Sequence, residues 1–282
     1  MTVITEPRPA SGGSAAAPKP RYRVTGRRVL RSESTKLWSL RSTWITLGLG
    51  LLFLVAFGII AALRYRSSVN SGRQLDPDFA DATTLSLSLF GVALSQLALG
   101  VLGVLVSAGE YSTGQIRSTL AAVPRRLPVL WSKASVYGVV ALAIALVGAF
   151  VTFLIDSGIL SSTPAALTIS STGVVRSLLG ATVYLGLVGV IGVALGAMLR
   201  SVAGAISALV GALMLLPGLV SLLPVSWRHA IQQFLPSEAG QSMYSLHQAP
   251  HTLSPGIGFL VFAGWTALAL AGAAWRLSRS DA

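Results

Sequence analysis

The chain has no cysteine and little charge: of its 282 residues 11% are Asp, Glu, Lys or Arg, and only nine are acidic. Without cysteine there is no disulfide, no thiolate nucleophile and no cysteine-ligated metal. A charged share of 11% is under half of the roughly 25% usual in soluble domains. Enzymatic signatures are missing too. A phosphate-binding loop ends in Lys followed by Ser or Thr, whereas Lys19, Lys36 and Lys133 precede Pro20, Leu37 and Ala134. Neither Gly-x-Ser-x-Gly nor His-Glu-x-x-His occurs, so no catalytic residue is nominated and no enzyme activity is expected.

What is there is apolar. Mean hydropathy is +0.72, and 53% of residues are hydrophobic. A bilayer core takes about 20 mainly apolar residues per helix, and six runs meet that length: 44–63, 85–108, 134–155, 177–199, 202–223 and 255–275. None holds Asp, Glu, Lys, Arg or His. Barrel strands of alternating polarity are absent, which argues against a membrane β-barrel. The expectation is an all-α integral membrane protein with six transmembrane helices.

A net charge of +12 would suggest nucleic acid in a soluble chain. Here its placement sets topology instead, and no nucleic-acid partner is expected. Of 21 Lys and Arg residues, only Arg64, Arg66, Arg73, Arg176 and Arg228 fall on one set of connections, with the rest on the other. The positive-inside rule then puts both termini in the cytoplasm of a multi-pass protein of the inner or plasma membrane. The first apolar run begins at Trp44 and has the length of a span, so no cleavable leader is expected.

Residues 1–20, rich in Pro, Ala, Ser and Gly, have the composition of a disordered tail. Over 21–43, Leu30, Leu37, Leu40 and Trp44 recur near helical spacing among Arg27, Arg28, Arg31, Lys36 and Arg41. This is the pattern of a basic amphipathic helix in the membrane interface, with Trp38 at headgroup depth. The connection between spans 2 and 3 reads Glu110-Tyr-Ser-Thr-Gly-Gln-Ile-Arg-Ser-Thr-Leu-Ala-Ala-Val-Pro-Arg-Arg. Ser112 and Gln115 have capping-box spacing, predicting a helix that starts there. Ile116, Leu120 and Val123 give it one apolar stripe, and Pro124 ends it. Pro128 suits the first turn of span 3.

The remaining polar features are weaker. Asp76, Asp78 and Asp81 lack the glycine and terminal Glu of a calcium loop. Ser95 and Gln96 in span 2 are candidates for a polar path, or for a helix–helix hydrogen bond. Gly192 and Gly196 have the spacing of a close helix contact, within the bundle or between copies. Pro217-Gly218 should kink or end span 5. His247 and His251 are four apart, but Pro250 intervenes and no third ligand follows, so no metal site is expected.

These residues together resemble the type-2 permeases of ATP-binding cassette (ABC) exporters over nearly all of the chain after Arg21. The resemblance rests on Arg31-Ser-Glu33-Ser-Thr-Lys36-Leu-Trp38-Ser-Leu-Arg41, the six spans, the Glu110–Arg126 stretch and Leu235-Pro-Ser-Glu-Ala-Gly240-Gln. It implies a coupling helix within 110–126, using Tyr111, Gln115, Ile116, Arg117, Leu120, Pro124, Arg125 and Arg126 to dock on a separate ABC ATPase subunit. It implies a connecting helix carrying Glu33, Lys36, Trp38 and Arg41, and a second permease copy, the same or related, with spans 2 and 5 along the path. No cofactor is expected in this chain; ATP and Mg would sit on the ATPase. The substrate is unspecified, with a hydrophobic or drug-like molecule compatible. The alternatives are a non-transporting membrane anchor, sensor or immunity protein, and an intramembrane enzyme. The second lacks charged or histidine side chains in the six runs.

Overall fold

A computed structural model describes residues 26–39, 41–72, 79, 81–114 and 126–279. The tail 1–20 and Gln115, Ile116, Arg117, Leu120, Pro124 and Arg125 lie outside these residues, and of Arg126 only the backbone is described. Among the described residues the chain is helical without strands: α1 Gly26–Ser39, α2 Arg41–Asn70, α3 Thr84–Ser88, α4 Val92–Ser112, α5 Arg126–Ile159, α6 Val174–Leu199, α7 Val202–Val210, a π-helical segment Gly211–Leu215, α8 Leu216–Ser221, α9 Val225–Gln232, α10 Pro236–Tyr244 and α11 Pro255–Arg279. Six helical stretches are long and apolar enough to cross a membrane: Arg41–Asn70, Thr84–Ser112, Leu127–Ile159, Val174–Leu199, Val202–Ser221 and Pro255–Arg279. This is a multi-pass helical membrane protein.

The helices outrun the apolar runs that announce them, because a helix continues through polar residues until its backbone is capped or broken. α5 thereby takes in Lys133 and Asp156, and Glu110 belongs to the last turns of α4. The expectation that no ionisable residue enters the spanning helices is corrected accordingly. Ser112 is the last residue of α4, with its hydroxyl donating to the Gly109 carbonyl at 2.9 Å, and the helix expected beyond it falls on residues outside those described. Pro128, by contrast, sits in the first turn of α5, where its missing N–H costs nothing.

α6 is the central helix, packed most heavily on α4. Without a hydrophobic drive between helices in lipid, close backbone approach and dispersion hold such a pair. A Cβ on Gly192 would stand 2.2 Å from the Gly100 carbonyl oxygen, and one on Gly103 would stand 2.3 Å from that of Gly189. Gly192 is thus a contact within the bundle. Span 5 runs through Pro217 and ends at Ser221. The proline's missing donor is accommodated by the wider π turn just before it, so the helix is deformed there and not ended. Between spans 4 and 5, Arg200 takes a left-handed φ of 54° and Ser201 caps α7, accepting from Gly204 N at 3.3 Å.

One face of the bundle carries α1, the start of α5, Arg200 and the end of α11, whose Leu277 clusters with Leu130 and Ala197; it is called proximal below. The distal face holds the connection from 160 to 173 and the segment 222–254. There Thr84 Oγ1 donates to the Ala165 carbonyl at 2.8 Å and accepts from Leu167 N at 3.0 Å, pinning that connection to the start of span 2.

Candidate functional site

α1 buries Val29, Glu33 and Leu37, a stripe at i, i+4 and i+8 that packs on α5. Leu30 and Trp44, expected to face the membrane interface, are exposed, whereas Leu37 of the same pattern is buried. Leu37 turns inward because the stripe facing α5 is completed by a carboxylate, Glu33, that finds partners inside, which an apolar count passes over. Trp38 is also exposed, its ring 4.8 Å from that of Trp44, whose indole N–H donates to the Trp38 carbonyl at 3.1 Å. Arg41 is exposed at the first residue of α2.

Glu33 meets three other charges at the proximal face. Lys133 Nζ, from α5, donates to Glu33 Oε2 and to Glu110 Oε1, each at 2.7 Å. Lys36 Nζ, one turn on from Glu33, donates to Glu33 Oε1 at 3.0 Å and to Glu110 Oε1 at 3.1 Å. Two acids and two lysines from three helices therefore form one closed ring of charge. The side chains of Glu33, Lys133 and Glu110 are 4%, 6% and 9% exposed, so three of the four charges are out of water, and Lys36, at 27%, closes the ring on its wetter side. Isolated buried charges would each cost several kcal/mol, on the order of the full desolvation penalty; matched pairing with hydrogen bonds offsets it. Burial pulls the Lys36 pKa down, but its hydrogen bond with Glu33 and the attraction of Glu33 and Glu110 outweigh that and leave it above the ordinary lysine value.

The second oxygen of Glu110, Oε2, is buried and accepts no hydrogen bond among the described residues. Beside the ring lies a cavity of about 370 Å3 lined by Leu37, Ser42, Val106, Gly109 and Thr113 as well as the four charged residues. Tyr111, one residue beyond Glu110, is half-buried, with the Arg200 guanidinium 5.2 Å from its ring centroid, within cation–π range. The ring and this stack brace the end of α4 and the start of α5, between which residues 113–125 run.

Of the residues singled out from sequence, Glu33 and Lys36 come together here, and Tyr111 stands next to them. Trp38 and Arg41 face away. Ser95 and Gln96 are buried deeper in the bundle, and Gln96 Oε1 accepts from the Tyr184 hydroxyl, linking spans 2 and 4. Sequence reasoning gave Lys133 only a topological part and Glu110 none beyond opening the loop. The available signal was that each ionisable residue abuts an apolar run, which marks the edge of a span. No family model matches the chain, and no curated protein does.

Proposed function

We propose that this chain is the membrane permease subunit of an ABC-type exporter, driven by a separate ATPase subunit that docks on the proximal, cytoplasmic face. The observation that carries the reading is the buried ring Glu33–Lys36–Glu110–Lys133. It ties α1 to the two helix ends flanking the 113–125 connection, so a push on that connection reaches α4, α5 and α1 as one body. Motion of packed helices is transmitted through such discrete contacts. Arg117, Arg125 and Arg126 would present charge to the ATPase, and Ile116 and Leu120 its apolar ridge. A second permease copy completes the unit. The chain would supply no catalytic group and bind no cofactor of its own, with ATP and Mg held by the ATPase. Spans 2 and 5 would line the path, with Ser95 and Gln96 on the first of them.

The test is purification of the tagged chain from its native membrane in mild detergent. The expected result is a nucleotide-hydrolysing P-loop subunit in equal amount, lost when Ile116→Asp and Arg117→Glu are combined. Isolation of the chain alone, under conditions that keep other such complexes whole, would favour the anchor or sensor reading.

A further inference from the structure

The distal face holds a second set of charges, which the permease reading does not use. After span 5 the chain turns at Pro224 into α9 and then α10. The end of α8, α9, α10 and residues 250–253 enclose a cavity of about 380 Å3. Its wall is polar. Arg228 and Glu238 both line it, yet they form no ion pair with each other. The Arg228 side chain makes no hydrogen bond, ion pair or ring contact among the described residues, its backbone N–H alone donating to the Pro224 carbonyl at 2.9 Å, and the Glu238 carboxylate accepts one long bond, from Gln232 Nε2 at 3.4 Å. His229 and His251 form another wall, their rings nearly parallel, with centroids 4.3 Å apart and planes at 17°. Face-to-face rings aim no shared lone pair at one ion, which argues against a metal.

A cation and an anion held across one small cavity, each short of partners, match a ligand that carries both signs. The depth of the cavity identifies its source. Trp227 on α9 is 65% exposed, and an exposed indole beside the ends of spans marks the headgroup region. Below the cavity, Leu215, Leu219 and Leu222 are all exposed. They lie at i, i+4 and i+7, forming an apolar ridge along span 5 that leads up to Ser221 at the cavity wall.

We propose that this cavity binds the headgroup of an amine-bearing phospholipid in the leaflet that meets the distal face. The phosphate sits at Arg228, with its planar donor fork, and the primary ammonium sits at Glu238. One acyl chain lies along the leucine ridge. The site needs no ATPase, so its test stands or falls apart from the permease reading.

The experiment is thermal unfolding of the delipidated full chain in detergent, titrated with short-chain phosphatidylethanolamine, short-chain phosphatidylcholine and free phosphoethanolamine. The ethanolamine lipid should stabilise saturably and bind roughly tenfold more tightly than the choline lipid, whose quaternary nitrogen donates no hydrogen bond to a carboxylate. Glu238→Gln should erase that preference, and Arg228→Gln should weaken both lipids. Thr252→Trp, at an exposed cavity position, should block binding without touching either charge, and it covers the case in which a charge variant fails to fold. Equal stabilisation by the two lipids, or binding unchanged in Thr252→Trp, overturns the proposal. Free phosphoethanolamine binding as tightly as the lipid also overturns it, because the cavity would then serve a soluble zwitterion.

Discussion

Lys133 bears the most weight of any single side chain at the proximal face, since it alone bonds both carboxylates at 2.7 Å. Replacing it with Met keeps length and volume but leaves Glu33 and Glu110 buried with only the partly exposed Lys36 between them. Breaking a buried pair in this way costs about 3–5 kcal/mol. Lys133→Met should therefore lower the thermal midpoint of the purified chain markedly. Adding Glu110→Gln should recover most of the loss, because Glu33 then keeps Lys36 as its partner and no uncompensated carboxylate remains inside. A midpoint unchanged by Lys133→Met would show that the ring contributes nothing to folding. Little of this ring was legible in the sequence. Glu33 and Lys36 stand three apart on one helix and are readable as a local pair. Glu110 and Lys133 lie 74 and 97 positions on from Lys36, and only the packing of α1 on α5 brings them in.

At the scale of elements, the six spans were legible because the hydrophobic requirement of a bilayer is met residue by residue. Their ends were not, because polar residues such as Lys133 and Asp156 extend a helix wherever a neighbour shelters them. Asp156 on α5 is fully buried, and neither of its carboxyl oxygens has a hydrogen-bond partner among the described residues. The α4–α6 pair shows the same limit. Glycine spacing announced a close contact, but which helix would approach required the fold. Gly192→Ala should push α6 off α4, since its new methyl would meet a backbone carbonyl at 2.2 Å, and overpacking of this kind costs about 1–3 kcal/mol. Gly264→Ala, with nothing within 4 Å of its added Cβ, is the matched control and should unfold at or near the parent temperature. Equal midpoints for the two variants would refute the close contact.

For the whole molecule, an even number of spans puts α1 and the end of α11 on one face, and the uneven spread of lysine and arginine predicts which side of the membrane that face meets. The absence of cysteine makes the prediction easy to check. Ser39→Cys and Gln248→Cys, both exposed positions on opposite faces, introduce one thiol each into a chain that has none. A membrane-impermeant maleimide applied to intact cells should label Gln248→Cys at once and Ser39→Cys only after permeabilisation. The reverse pattern would invert the topology and overturn the proposal that an ATPase docks on the proximal face.

The π-helical segment Gly211–Leu215 gives span 5 a property unlike that of the other spans. A π turn holds one residue more than an α turn. Each α-helical residue advances the helix by about 100° of rotation. Were the segment to tighten into regular α-helix, everything beyond it would swivel by about that angle, Pro217 and the leucine ridge included. α9 and the polar cavity follow directly in the chain and would be dragged with it. Span 5 is thus built like a wound thread with one loose coil, and the coil lies between the body of the bundle and the cavity at its distal rim.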